Sequence, residues 1–162
     1  MMKQVLRLTG LGLVALIGLV VLTAIVARFS DGPIALFPGG SLESGDWVEG
    51  PVADWSFAAQ IEEIEMQLAA QAISRTTWIV VLEGQAYVPC SLGFPPGKTW
   101  HEEALKDGRA ILRIDGNRYR VNLSKLDDDA IATRLVEAVG KKYGGSPGGD
   151  GGVWFFRLDP TS

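Results

Sequence analysis

The chain has one cysteine, Cys90, and one histidine, His101. A single cysteine excludes an intramolecular disulfide. One His and one Cys make no zinc-finger pattern, and His101-Glu102-Glu103 lacks the second His of a metalloprotease helix, so no metal site is expected. Positive charge is also short: 15 Lys and Arg stand against 19 Asp and Glu, a formal net charge of −4. Nucleic acid is therefore not an expected partner, because binding it requires a basic face that displaces counterions. No nucleophile elbow surrounds any serine, which leaves a Ser–His–Asp hydrolase without support. The Gly-rich stretch 144–152, which holds Pro147 and Asp150, lacks the Lys and Ser/Thr of a phosphate loop and reads as a flexible connection.

What the sequence does contain is a charge-free run over residues 8–27, about a dozen of them Leu, Ile or Val. At 1.5 Å rise per residue, about 20 helical residues cover the roughly 30 Å hydrocarbon core of a bilayer. The aliphatic side chains together favour insertion by roughly 4–7 kcal/mol. The run predicts a single membrane-spanning helix. The alternative is a cleaved signal peptide. The apolar run is longer than such a peptide needs, and the best cleavage site, Ile25-Val26-Ala27, has a bulky residue where a small one is preferred, so retention as an anchor is the favoured reading. Lys3, Arg7 and the terminal amine precede the span, whereas Arg28 follows it with Asp31 close behind. The positive-inside rule then places the N-terminus in the cytoplasm and the rest of the chain on the periplasmic or extracellular side.

Three segments are expected: a cytoplasmic stub and anchor over 1–29, an apolar Gly/Pro-rich connection over 30–53, and a folded domain over 54–162. The connection is too apolar for a free tether and is expected to lie against the domain or the membrane surface. Trp47 and Trp55 read as core residues in preference to headgroup-level anchors. Within the domain, Ile64, Met66 and Leu68 alternate with Glu65 and Gln67 as in a half-buried strand, with a helix through Ile61, Ile64 and Leu68 as the competing reading. Residues 76–82 are rich in β-branched and aromatic types and read as one strand. Glu83-Gly84-Gln85 turns that strand into the next, where Pro89 requires an edge or a bulge. Thr99 is placed to cap a short helix over 100–106. Asp115-Gly116 joins two strands as a tight hairpin. An acidic run, Asp127 to Asp129, opens a longer helix with Ile131, Leu135, Val136 and Val139 on one face. A last strand covers 153–158. The fold class expected is an N-terminal transmembrane helix plus an α+β domain, with about six mostly antiparallel strands, one short helix and one longer one.

Residues 64–158 resemble the split β-barrel proteins that bind flavin or deazaflavin, with the deazaflavin-dependent nitroreductase branch nearest and pyridoxamine-phosphate-oxidase-like barrels related. The resemblance rests on Ser74-Arg75-Thr76-Thr77, the hairpin over 78–91, the loop-helix Gly97-Lys98-Thr99-Trp100-His101, and the hairpin over 109–121. It implies FMN or a deazaflavin as cofactor. Arg75, Thr76 and Thr77 would lie near its ring or phosphate, with Ser91, Lys98, Trp100 and His101 around the loop. A helix start beside Lys98 suits an anion, and Trp100 offers a stacking face.

Read without the resemblance, the same residues have plainer roles. Cys90 reads as packed, and Lys98 as a solvated loop residue. His101 is either a proton donor or a helix-surface residue. Arg75 either holds a phosphate or pairs with Glu62, Glu63 or Glu65. Arg109, Arg113, Arg118 and Arg120 read as a solvated face. Two functions fit. One is a membrane-anchored accessory protein whose partners are the lipid bilayer and a membrane protein complex. The other is an FMN- or deazaflavin-binding oxidoreductase acting on a small molecule. Ala70 to Arg75 carries one positive charge where a phosphate-binding turn would be basic, so the accessory reading comes first and an enzymatic role stays open.

Overall fold

The computed structural model describes residues 2–145, 147–148 and 151–161. Helix α1 (Met2–Arg28) carries the apolar run. Its segment Arg7–Arg28 is long and apolar enough to cross a membrane. The Leu, Ile and Val side chains from Leu8 to Val26 are 46–69% exposed, so the folded chain itself does not cover them.

The connection after α1 is a strap packed on the domain. Gly40 N donates to Ser30 O at 2.9 Å, closing a small loop whose tip is bridged between Ile34 and Phe37. The loop runs beside strand β3 (Ser74–Trp78), to which it is tied by Gly39 N to Ser74 O at 3.0 Å and Thr76 Oγ1 to Ala35 O at 3.0 Å. Gly39 is required here, because a Cβ would fall 1.9 Å from Gly32 O. Leu42 is buried, and its amide donates to Gln67 Oε1 at 2.8 Å. Arg28 Nη1 donates to Ala72 O at 2.9 Å, which fixes the end of α1 to the domain.

The sheet has eight strands, against the expected six. The remaining strands are β1 (Asp46–Trp47), β2 (Glu63–Leu68), β4 (Val80–Leu82), β5 (Gln85–Ser91), β6 (Arg109–Ile114), β7 (Asn117–Lys125) and β8 (Val153–Pro160). The order is β3-β2-β6-β7-β8-β5-β4, with β1 pairing parallel to β7 and all other pairs antiparallel. Two features account for the extra strands. The strap contributes β1, and the single strand expected over 76–82 breaks at Ile79 into β3 and β4. That break closes the sheet. β3 and β4 lie at opposite ends of the strand order yet are joined through one residue, so the sheet curls into a barrel.

Ile64 to Leu68 is a strand, so the helical alternative is excluded there. Asp115 and Gly116 have φ of 48° and 78°, and Glu83 and Gly84 have 54° and 78°. Both pairs meet the positive-φ requirement of a two-residue hairpin. Ile64, Met66, Leu112, Val121 and Phe156 fill the barrel with Trp55 and Trp100. Helix α3 (Asp129–Tyr143) packs Leu135 and Val139 outside it on Val80, Tyr87 and Phe155. Asp128 Oδ1 accepts from Ala130 N and Ile131 N, as the acidic run led one to expect. Thr99 precedes helix α2 (Trp100–Lys106) but its side chain makes no capping bond; its carbonyl accepts from Glu102 N and Glu103 N.

Of the two tryptophans weighed for the headgroup region, Trp55 is in the core. Trp47 is half-buried between Arg118 and Arg120, whose guanidinium carbons lie 4.3 and 3.8 Å from its ring. The arginines of the second hairpin are accordingly not one solvated face. Arg113 binds Asp31, Ser44 and Glu65, Arg118 donates to Leu42 O and Gly45 O, while Arg109, with Asp107, and Arg120, over Trp47, stay exposed. Charged side chains with no partner on their own hairpin were recruited by the strap. The Gly-rich loop is described at 144–145, 147–148 and 151–152; the rest of it, including Asp150, lies outside the described residues.

Candidate functional site

The barrel closes only along part of its seam. β4 pairs with β5 from Val80↔Tyr87 to Leu82↔Gln85 and no further. Beyond that point β3 diverges from β5, and neither strand has a ladder partner across the gap. Pro89, which has no N–H to leave unpaired, lies on this open edge of β5 while Phe155 of β8 opposes it on the other side. The gap is a cleft of about 850 Å³. One wall is Glu63 with Thr76, Thr77 and Trp78; the other is Pro89, Ser91, Gly93, Phe94 and Pro95. Ala35 and Leu36 of the strap and Pro147, Gly148 and Gly151 complete the lining.

The seven residues singled out in the sequence fall into two groups. Thr76, Thr77 and Ser91 line the cleft. The Thr76 hydroxyl already donates to Ala35 O, and Ser91 Oγ accepts from Phe94 N at 3.3 Å. Lys98 stands behind the second wall, its ammonium donating to Ser91 O and, at 2.6 Å, to Phe94 O. Arg75 is opposite Met66 in register and so points into the barrel. Its guanidinium carbon lies 5.8 Å from the Trp100 ring, it reaches Gln71 Oε1 only at 3.5 Å, and burial lowers its pKa. It pairs with none of Glu62, Glu63 and Glu65. Trp100 is 6% exposed and packs on Phe156 with ring centroids 5.2 Å apart, so it offers no free stacking face. His101 is buried against Trp154 rather than on the helix surface. Arg75 Nε and His101 Nδ1 are both buried without a hydrogen-bond partner among the described residues. Cys90 is packed as expected, and burial pushes its thiol up to about 11.

These positions bear directly on a phosphorylated cofactor. Among the described lining residues there is no Lys or Arg. Lys98 is engaged by two carbonyls, Arg75 faces the barrel interior, and α2 opens on a buried Trp. The residues present do not fit the phosphate of FMN or of a deazaflavin in this cleft.

On the first wall the sequence pointed to Thr76 and Thr77 but gave no site role to Trp78 or Glu63. Trp78 ends β3 and is 39% exposed, and its indole is stacked on Tyr143 of α3 at 4.2 Å with an interplanar angle of 5°. An exposed Trp facing a Glu in the adjacent strand was the available signal. Burial pushes Tyr143 up to about 12, and its hydroxyl is bound to Glu62 O at 2.6 Å and Ile79 O at 2.7 Å.

Fold and cleft together define a small barrel with an open seam, carried on an apolar N-terminal helix. No family model matches the chain, and no curated protein matches it. Among solved structures it is similar to a protein assigned as a pyridoxamine 5'-phosphate oxidase from Listeria innocua, with a TM-score of 0.46 and 14% identity over 62% of this chain and 83% of that one. It is also similar to an F420 reductase, with a TM-score of 0.46 and 10% identity over 68% of this chain and 94% of that one.

Proposed function

We propose that this is a membrane-anchored accessory protein. In this reading α1 crosses the bilayer once and holds the barrel on the non-cytoplasmic side, beside a membrane complex. The observation that carries it is the apolar surface of α1, its Leu, Ile and Val side chains exposed from Leu8 to Val26, yet fixed at its end to the barrel by Arg28 and the strap. In water such a surface is strongly unfavourable, at about 25 cal/mol per Å²; a bilayer removes that penalty. The test is extraction of cell membranes with alkaline carbonate, followed by N-terminal sequencing. The full-length chain should stay with the membranes. The double substitution Leu16→Arg and Val20→Arg, each opposing insertion by about 2.5–3.5 kcal/mol, should release it. Recovery of wild-type chain in the aqueous fraction, or of a chain lacking α1, overturns the reading.

The second reading is the split-barrel oxidoreductase with FMN or a deazaflavin. An open-seamed barrel with Thr76, Thr77 and Ser91 in the seam supports it, and the lack of a cation on the described lining opposes it. Protein purified in detergent should be colourless; visible absorbance of a bound flavin or deazaflavin would establish the second reading instead.

A further inference from the structure

We propose that the open seam binds an organic cation carrying a flat aromatic ring, with Trp78 as its stacking surface and Glu63 as its counter-ion. The two residues are cross-strand partners, Glu63 in β2 opposite Trp78 in β3. Side chains at directly opposed positions share a sheet face, with Cβ atoms about 5 Å apart. The two side chains therefore share one face, and both line the cleft. Glu63 makes no ion pair and no side-chain hydrogen bond among the described residues. It is the one charged side chain among the described residues of the lining.

The ring is held in advance of any ligand. Tyr143 covers one side of the indole, and Tyr143 is itself pinned through its hydroxyl to Glu62 O and Ile79 O. The exposed remainder of Trp78 borders the cleft. An electron-rich indole face attracts cations, and does so more strongly where water is partly excluded. Phe94 and Leu36 add apolar surface around the opening. Thr77, whose hydroxyl has no partner among the described residues, adds a donor and acceptor within the seam. A volume of about 850 Å³ lies within the range of small-molecule sites.

The neighbouring cations do not oppose this assignment. Lys98 is on the far wall, bound to the Ser91 and Phe94 carbonyls. Lys142 is behind Tyr143, bound to Ile61 O and to Ile79 O at 2.9 Å. Neither reaches the Glu63 carboxylate. Charge thus selects against the phosphorylated ligands that the fold resemblance suggests and in favour of a cation.

The experiment titrates the full-length chain, in nanodiscs of phosphatidylcholine, with the 10-methylacridinium ion and with acridine-9-carboxylate, two probes of the same ring system and opposite charge. Methylacridinium should bind saturably with quenching of Trp fluorescence, and the carboxylate about tenfold more weakly or not at all. Glu63→Gln, an isosteric change at an exposed position, should weaken methylacridinium about fivefold or more, and Glu63→Lys should abolish its binding. Trp78→Leu should remove the quenching and weaken binding further. The proposal is overturned if no saturable methylacridinium binding is seen, if the anion binds as well as the cation, or if Glu63→Gln leaves the affinity unchanged while its thermal unfolding matches the wild type.

Discussion

Arg113 of β6 donates from Nη1 to both carboxylate oxygens of Asp31, each at 2.9 Å, across 82 residues of sequence. Its Nε donates to Glu65 of β2 and its Nη2 to Asp31 O at 3.0 Å. One guanidinium thus joins the segment just after the apolar helix to two barrel strands. The fork geometry of Arg suits this role in a way the point charge of Lys does not. The barrel is thereby tied to the end of α1, because the intervening strap is fixed by side chains rather than free.

Asp31 should contribute to stability in a pH-dependent way. Burial pushes its carboxyl up, but bonds from the Ser44 hydroxyl, the Glu43 and Ser44 amides and Arg113 together hold it down to about 2, against an ordinary 3.8. A folded-state pKa below the unfolded one stabilises the folded chain above about pH 4, and that contribution is lost as pH falls toward 2. Because the carboxylate is about one-third exposed, about 1 kcal/mol is expected after screening. Asp31→Asn should lower stability by that amount at pH 7 and make the acid limb of a pH–stability curve shallower. Arg113→Met, which strands two carboxylates, should cost about 2–4 kcal/mol. Thermal unfolding in detergent, followed by near-UV circular dichroism, measures both; an unchanged acid limb in Asp31→Asn would refute the assignment.

Tyr143→Phe should destabilise the chain by about 1–3 kcal/mol. The hydroxyl accepts from Ile79 N at 3.2 Å and is bound to Ile79 O, at the bend between β3 and β4, and to Glu62 O, just before β2, so its loss leaves a backbone amide unpaired where the barrel closes. Local hydrogen exchange at Ile79 should accelerate more than at α3.

Cys90 should be inert in the folded chain. It is 2% exposed, and burial holds its thiol near 11 despite Lys98 and Arg75 nearby. Iodoacetamide at pH 8 should label it only after denaturation. The raised pKa also means that the neutral thiol favours the folded state up to about pH 9, with that contribution lost between 9 and 11. Rapid labelling of native protein would show an opening that the closed barrel does not have.

The two helix starts should differ sharply on mutation. Asp128→Ala removes a side chain that accepts from two amides and should cost about 1 kcal/mol. Thr99→Ala removes no capping bond and should stay within about 0.5 kcal/mol of wild type. Equal effects in the same unfolding assay would contradict the observed caps.

Much of the chain was legible before folding. The charge-free run predicts α1, because no charged side chain interrupts it. Asp115-Gly116 predicts its hairpin, because both positions need positive φ. The acidic run Asp127 to Asp129 predicts the start of α3, because a carboxylate there can reach amides within one turn. Each of these signals is local: the residues that carry it are within a few positions of one another. The site residues were less legible. Arg75 reads equally well as a phosphate ligand or a surface partner of glutamates; its register against Met66 turns it inward, away from those glutamates. Lys98 reads as a free loop cation, yet two carbonyls hold it. Such outcomes depend on which backbone groups a distant segment leaves within reach.

Sequence alone therefore determined the apolar helix, the alternation of the strands and the turns between them, all consequences of side-chain periodicity and local backbone preference. Tertiary structure alone decided that the strand after Ser74 bends at Ile79 to close a barrel, that the strap is bound by Arg113, and that a seam with Trp78 and Glu63 on its wall, and no Lys or Arg among its described lining residues, stays open. The physical reason is that pairing across dozens of residues sets which strand edges meet. A pattern of period two specifies the two faces of a strand but not the neighbour at its edge.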